Sequence, residues 1–295
     1  MSGNLSLQSL LDKHIRTLSL AIGERHSKKP EALTRAKEYI VSEFEKTKLT
    51  VAVHEFEYSG QKFANIEAVI PGHGLAAENI VVGAHYDSED GTPGANDNGT
   101  GVAAILAIAS DLSAYKPERT IRFVAFANEE ARFFATDGMG SQVYAKQLKE
   151  QVTKVFAMMS LETMGYFTAG AGSQKYPSEL SGADLPDVGN FLAFIANKKS
   201  EPVLNQTLEL FKMFSSVPAM GMALDEDVQG VSLSDHRSFW QQDYPAMMVT
   251  DTAPFRYPFY HHAQDTPDKI NMKVYKEAVL GLTATIAAMA QKAKV

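Results

Sequence analysis

At 295 residues, 45% of them hydrophobic, the chain is long enough for one large α/β domain or two small ones with a sizeable core. A net charge of −7 at pH 7, with no basic run, lacks the footprint that neutralises phosphates, so nucleic acid is not expected as a partner. The absence of cysteine excludes disulfides and thiolate metal sites, which leaves His, Asp and Glu to hold any metal and points to zinc or another divalent ion.

From the N-terminus, Asp12, Lys13 and Arg16 stand where a signal peptide needs an uninterrupted apolar segment. The expectation is a cytoplasmic protein, or an exported one whose leader has been removed. No stretch approaches the roughly 20 apolar residues that cross a bilayer, so no membrane partner is expected. Apolar residues at helical spacing (Leu7, Leu10, Leu11, Ile15, Leu18, then Leu33, Ala36, Ile40, Phe44) predict helices over 5–22 and 30–47, with Pro30 suited to a first turn. Alternating or continuous apolar runs then predict strands over 49–58, 63–70, 79–84, 120–127, 155–161 and 244–250. Helical patterns fall at 101–112, 140–149, 188–199, 203–214 and 273–292. Strand-helix alternation from Asn79 onward predicts an α/β fold, an open, mostly parallel doubly wound sheet with helices on both faces. With no repeat or evident linker, residues 1–295 read as one domain. The Gly, Ser and Pro-rich stretch 168–189 reads as an irregular excursion of the kind that often carries function.

Ligands of such a sheet sit beyond the carboxyl ends of its strands. His85-Tyr86-Asp87 follows one predicted strand, Asn128-Glu129-Glu130 another, and Glu162 a third. Asp97 lies in GTPGANDNGTG, a glycine-rich turn ahead of a helix, and YHHAQDTPDKI supplies His261 and His262 before the last helix. Each has an ordinary reading alone: a hydrogen-bonded histidine, an Asx-turn or helix cap, a solvated Glu pair. Their coincidence at strand exits points instead to a metal site built from imidazoles and carboxylates. Asp87, two residues after His85, is placed to orient the ring, as carboxylates behind metal-bound histidines do.

The ordered motifs HYDS with PGANDNGTG, FANEE, SLETMGYF, SDHRSF, YPAMMVTDT and YHHAQDTPDKI resemble those of the zinc aminopeptidase family that also contains the glutaminyl cyclases and glutamate carboxypeptidases. The likeness covers roughly residues 29–290. It implies the same parallel-sheet architecture, a peptide substrate and two Zn²⁺ ions. His85 and Glu162 would bind one ion, Glu130 and His261 the other, and Asp97 would bridge them across a cis Asp97–Asn98 peptide bond. His261 is preferred to His262 because Tyr260-His261 with Asp265-Thr266 fits the family spacing. The same resemblance puts Glu129 on the general base and Asp87 on the partner of His85. Asp235 and His236 take a place behind the ligands or near substrate.

Two features depart from the family pattern. Glu162 stands where many relatives have Asp, and ARFFATDGMGS lengthens the loop after the Glu pair. That loop, with Phe133 and Phe134, is expected to line the specificity pocket together with Tyr166, Phe167, Trp240 and Tyr257. The expected activity is a metallo-exopeptidase, foremost an aminopeptidase. A single-zinc glutaminyl cyclase and a catalytically silent binding protein of the same fold are the alternatives, which the complete ligand set disfavours.

Overall fold

The computed structural model describes residues 6–291. Its first helices are α1 (Leu7–Arg16) and α2 (Pro30–Glu45). A π-helical segment, Thr17–Ile22, continues α1, so the expected 5–22 helix changes pitch midway; residue 5 lies outside the described part. The strands are β1 (Thr50–Tyr58), β2 (Gln61–Ile70), β3 (Leu75–His85), β4 (Arg119–Phe126), β5 (Lys154–Glu162), β6 (Leu192–Asn197), β7 (Ala219–Leu224) and β8 (Ala246–Thr250). The remaining helices are α3 (Gly99–Asp111), α4 (Gly140–Glu150), α5 (Glu201–Phe214), α6 (His236–Trp240) and α7 (Met272–Met289). Residue 292, the end of the expected last helix, is also outside the described part.

One sheet contains all eight strands, in the order β1-β2-β4-β3-β5-β8-β6-β7. Its centre, β4-β3-β5-β8, is parallel. The margins are mixed: β1 and β2 pair antiparallel, as do β2 with β4 and β6 with β8, while β7 runs parallel to β6. The expected helix over 188–199 is therefore corrected to strand β6. All six residues of β6 are buried, and a short apolar run covered on both faces loses the alternation that distinguishes strand from buried helix. In β7 the sequence AMGMAL lacks the β-branched and aromatic residues that mark strands, and it carries no strand signal.

Winding order determines where a ligand can sit. From β3 the chain passes through α3 to β4 on one side, and from β4 through α4 to β5 on the other side of β3. Right-handed crossovers in opposite lateral directions put α3 and α4 on opposite faces. Accordingly α3 packs with α1, α2 and α7, whereas α4 packs with α6. Neighbouring strands β3 and β4 thus send their chains to opposite faces, and the crevice beyond their carboxyl ends is where such sheets bind ligands.

Candidate metal centre

The exits of β3, β4 and β5 deliver His85, Glu129 with Glu130, and Glu162 to that crevice, all buried. Asn128 and Thr163 bend the chain sharply there, with φ of 60° and 41°. Asn adopts this left-handed region readily; a β-branched Thr is strained in it by about 1–3 kcal/mol. Three contacts hold Thr163: its N–H donates to Asn98 Oδ1 at 3.1 Å, its carbonyl accepts the Asp251 N–H at 2.7 Å, and its hydroxyl pairs with Thr250 Oγ1 at 3.1 Å.

Asp97 enters from the turn before α3. Gly94, at φ 61°, could carry no Cβ, because one would stand 2.5 Å from the Asp97 carbonyl oxygen; a Cβ at Gly101 would lie 2.3 Å from the Leu161 carbonyl. The Asp97–Asn98 peptide bond is cis. Two further side chains secure the turn. Asp265 accepts the N–H groups of Asn96 at 2.8 Å and Asp97 at 3.1 Å, and the Tyr257 hydroxyl at 2.7 Å. Arg25, wholly buried, donates to the carbonyls of Tyr86, Pro93 and Gly94 at 2.7, 2.7 and 2.9 Å.

The site residues converge as two groups sharing Asp97. His85 Nε2 lies 3.3 Å from both Asp97 Oδ1 and Glu162 Oε2. His261 Nε2 lies 3.1 Å from Asp97 Oδ2 and 3.3 Å from Glu130 Oε2. His262 is exposed. Asp87 faces His85 Nδ1 at 3.5 Å, and its two oxygens accept the N–H groups of Glu129 at 3.1 Å and Glu130 at 3.2 Å. One carboxylate therefore ties the Glu pair to the end of β3, a tie that motif spacing alone does not reveal. Ser234 donates to Glu162 Oε2 at 2.7 Å, and the Tyr260 ring stacks on His261 at 3.8 Å.

So many buried carboxylates are electrostatically costly. Burial pushes Glu130 up to about 8, with the charge of Asp97 adding, and pushes Asp235 up to about 7. Glu129 and Glu162 are also raised, first by burial. Burial alone would lower His85 and His261, but surrounding carboxylates override it, holding His85 well above its usual value and His261 at about 11. Asp97 goes the other way: burial opposes ionisation, yet hydrogen bonds from His261 and His85 keep it well below the ordinary range. Neither oxygen of the buried Asp235 has a hydrogen-bond partner among the described residues, nor has Glu130 Oε1.

An apolar cavity opens beside Glu162 and Tyr260. Its floor is the sheet itself: Met220, Ala193 and Thr250 form a row across β7, β6 and β8 that continues to Glu162 on β5, and Met222, Ile195 and Met248 form the next. Tyr176 and Leu180 of the 168–189 excursion wall it, with Phe255. Arg256 pins that excursion, its Nε donating to Gln174 Oε1 and its Nη1 to the Phe191 carbonyl, each at 2.7 Å.

The expected pocket aromatics lie elsewhere: Phe133, Phe134, Tyr166, Phe167, Trp240 and Tyr257 do not line this cavity. Phe133 is buried against Phe63 and Tyr58, with ring centroids 5.2 and 6.0 Å away, so the lengthened loop packs on the β1-β2 hairpin; Phe134 beside it is half-buried. Trp240 donates Nε1–H to the Ala246 carbonyl at 2.9 Å, Tyr257 serves Asp265, and Tyr166 leans on Tyr257 at 5.0 Å.

A doubly wound sheet that gathers two imidazoles and several carboxylates at its switch point, beside an apolar cavity, defines a metal-dependent α/β hydrolase. The Peptidase family M28 profile matches residues 65–286. The chain belongs to that family and is a metallopeptidase. It is 33% identical over 281 residues to the uncharacterized protein YfbL of Escherichia coli strain K12, which covers 92% of this chain and 85% of YfbL. It is 28% identical over 240 residues to Leucine aminopeptidase 1 of Emericella nidulans, covering 76% of this chain and 54% of that protein. The chain thus spans about half the length of the leucine aminopeptidases it matches. Its fold is that of a zinc aminopeptidase from Bacillus subtilis, with a TM-score of 0.77 over 99% of this chain and 97% of the other at 17% identity.

Proposed function

We propose that the chain is an aminopeptidase that holds two Zn²⁺ ions, His85 and Glu162 on one, Glu130 and His261 on the other, with Asp97 bridging. The observation that carries this reading is the division of Asp97, one oxygen toward each imidazole-carboxylate pair. Donors about 2.0–2.1 Å from a common tetrahedral zinc stand about 3.3 Å apart, which the separations of 3.1 to 3.3 Å match. The buried and unpartnered Glu130 Oε1 fits the same role. When bound, the cations supply Lewis acidity that acidifies water and polarises a peptide carbonyl.

The chain's own contribution is positioning and proton transfer. Glu129 Oε2 stands 3.9 Å from His85 Nε2, beside the donors without closing either pair, and its backbone is fixed by Asp87. It takes the proton of the attacking water and returns it to the leaving amine. The cavity next to Glu162 receives the side chain of the N-terminal residue, and its Met, Ile and Ala floor favours a large, unbranched or γ-branched apolar group. The leucine aminopeptidase relatives agree with that preference.

Metal analysis combined with an aminoacyl-anilide panel tests the proposal. Two zinc ions per chain, with leucyl and methionyl anilides cleaved fastest, is the expected result. One zinc ion with cyclisation of glutaminyl substrates would overturn it, as would a chain that binds no metal and turns nothing over.

A further inference from the structure

In HYDSED, Glu89 is a carboxylate used neither as a ligand in the reading above nor, like Asp87, as a partner of His85. One carboxylate oxygen of Glu89, one of Glu130 and a ring nitrogen of His261 all lie within 4.8 Å of one another. Glu89 is partly exposed, whereas Glu130 is buried. Two carboxylates at this range repel unless a proton or a cation lies between them, and a divalent cation would be held by both together with the imidazole. The neighbouring lysines are committed elsewhere, Lys28 to Asp90 and Lys29 to Glu24. Within the group the buried Glu130 keeps one oxygen, Oε1, free of any hydrogen bond among the described residues.

Nor is Glu89 on a loose loop. Its carbonyl accepts the Thr92 N–H at 3.2 Å and the Ser88 hydroxyl donates to the Thr92 carbonyl at 3.1 Å, closing a tight turn. Ser88 N–H donates to the Arg25 carbonyl at 3.0 Å, and the Arg25 N–H returns to Ser88 Oγ at 3.1 Å. The turn is thereby fixed four residues after His85, and only side-chain torsions separate the Glu89 carboxylate from the donors of His261 and Glu130.

Resting on the two-cation reading above, we propose that Glu89 is a fourth protein donor for the second cation, joining Asp97, Glu130 and His261. The two positions then differ in kind. The first would have three protein donors, His85, Asp97 and Glu162, and the second four. The second cation is accordingly the more firmly bound, and the first is the one that exchanges.

Calorimetric titration of the metal-free full chain with Zn²⁺ tests this, with Co²⁺ absorption as a second readout of ligand number. The wild type should take up two equivalents in resolvable steps. Glu89→Gln should weaken the tighter step at least tenfold, leave the weaker step in place and alter the Co²⁺ spectrum of the tighter site. Asp90→Asn removes the same charge from the adjacent residue, which pairs with Lys28, and should change neither step. Two unaltered steps in Glu89→Gln would overturn the assignment, as would equal weakening by Asp90→Asn, which would reduce the effect to a general field. If the wild type itself takes up fewer than two equivalents, the underlying two-cation reading fails instead, independently of Glu89.

Discussion

Glu129 and Glu130 are adjacent carboxylates with different surroundings. Glu130 Oε2 pairs with His261 at 3.3 Å, whereas Glu129 reaches His85 at 3.9 Å and has no closer imidazole. Altering each should therefore fail in a different way. Glu129→Gln keeps the shape and removes the base, so turnover should fall on the order of 10²- to 10⁴-fold with zinc content unchanged. Glu130→Gln should lose affinity for one ion, with activity partly recovered by added zinc. Near-normal turnover in Glu129→Gln, or metal loss there and not in Glu130→Gln, would show the roles to be reversed. These positions were legible in the sequence because each follows an apolar strand at the edge where a parallel sheet binds its ligands. The work of Asp265 and Arg25 was not, for their partners are backbone groups far away in sequence: Asp265 holds Asn96 and Asp97, and Arg25 holds Pro93 and Gly94. No local pattern marks a residue whose work is to satisfy another loop's main chain.

Among the elements, β6 and β7 form most of the cavity floor, and they are the strands that sequence periodicity misses. The central strands could be read because long runs rich in Val, Ile and Phe, bounded by turn residues, favour a buried strand over a helix. A six-residue run such as LAFIAN, covered on both faces, is equally compatible with a buried helix. The aromatic residues expected to line a specificity pocket do not border this cavity, and Phe133 and Trp240 are buried elsewhere. Ala193 makes the consequence testable: it is the smallest side chain of the row that runs from Met220 through Thr250 to Glu162. Ala193→Leu should fill the cavity and lower the ratio of kcat/KM for leucyl over alanyl anilide by about tenfold or more, the scale at which apolar pockets discriminate added carbons. Far-ultraviolet circular dichroism and a melting curve would verify that the fold persists, because overpacking can itself cost about 1–3 kcal/mol. A uniform fall for both substrates, with the ratio unchanged, would remove the cavity from specificity.

On the scale of the whole molecule, charge is concentrated in two buried places with opposite balance. The candidate metal centre gathers carboxylates whose burial raises most of them, whereas Glu67 on β2 is fully compensated by protein. It accepts from His54 of β1 at 2.8 Å, Arg122 of β4 at 2.6 Å and Tyr144 of α4 at 2.7 Å, so one side chain joins the hairpin margin of the sheet to its parallel centre and to the helix layer. Burial alone would raise Glu67; the hydrogen bond from His54, then Arg122 and Tyr144, reverse this and bring it down to about 2. A carboxyl depressed in the folded state stabilises the fold fully above its unfolded value, near 4.3, and loses that contribution as pH falls toward 2. The amount is about 3 kcal/mol at about 1.4 kcal/mol per unit. Urea unfolding of wild type and Glu67→Gln, both metal-free in chelator, isolates this contribution, because acid titration of the metal centre is common to the two proteins. At pH 6 the wild type should be the more stable, and the gap should narrow by that amount as pH falls from 5 toward 2. A gap independent of pH would mean that Glu67 is not ionised against its three donors in the folded protein.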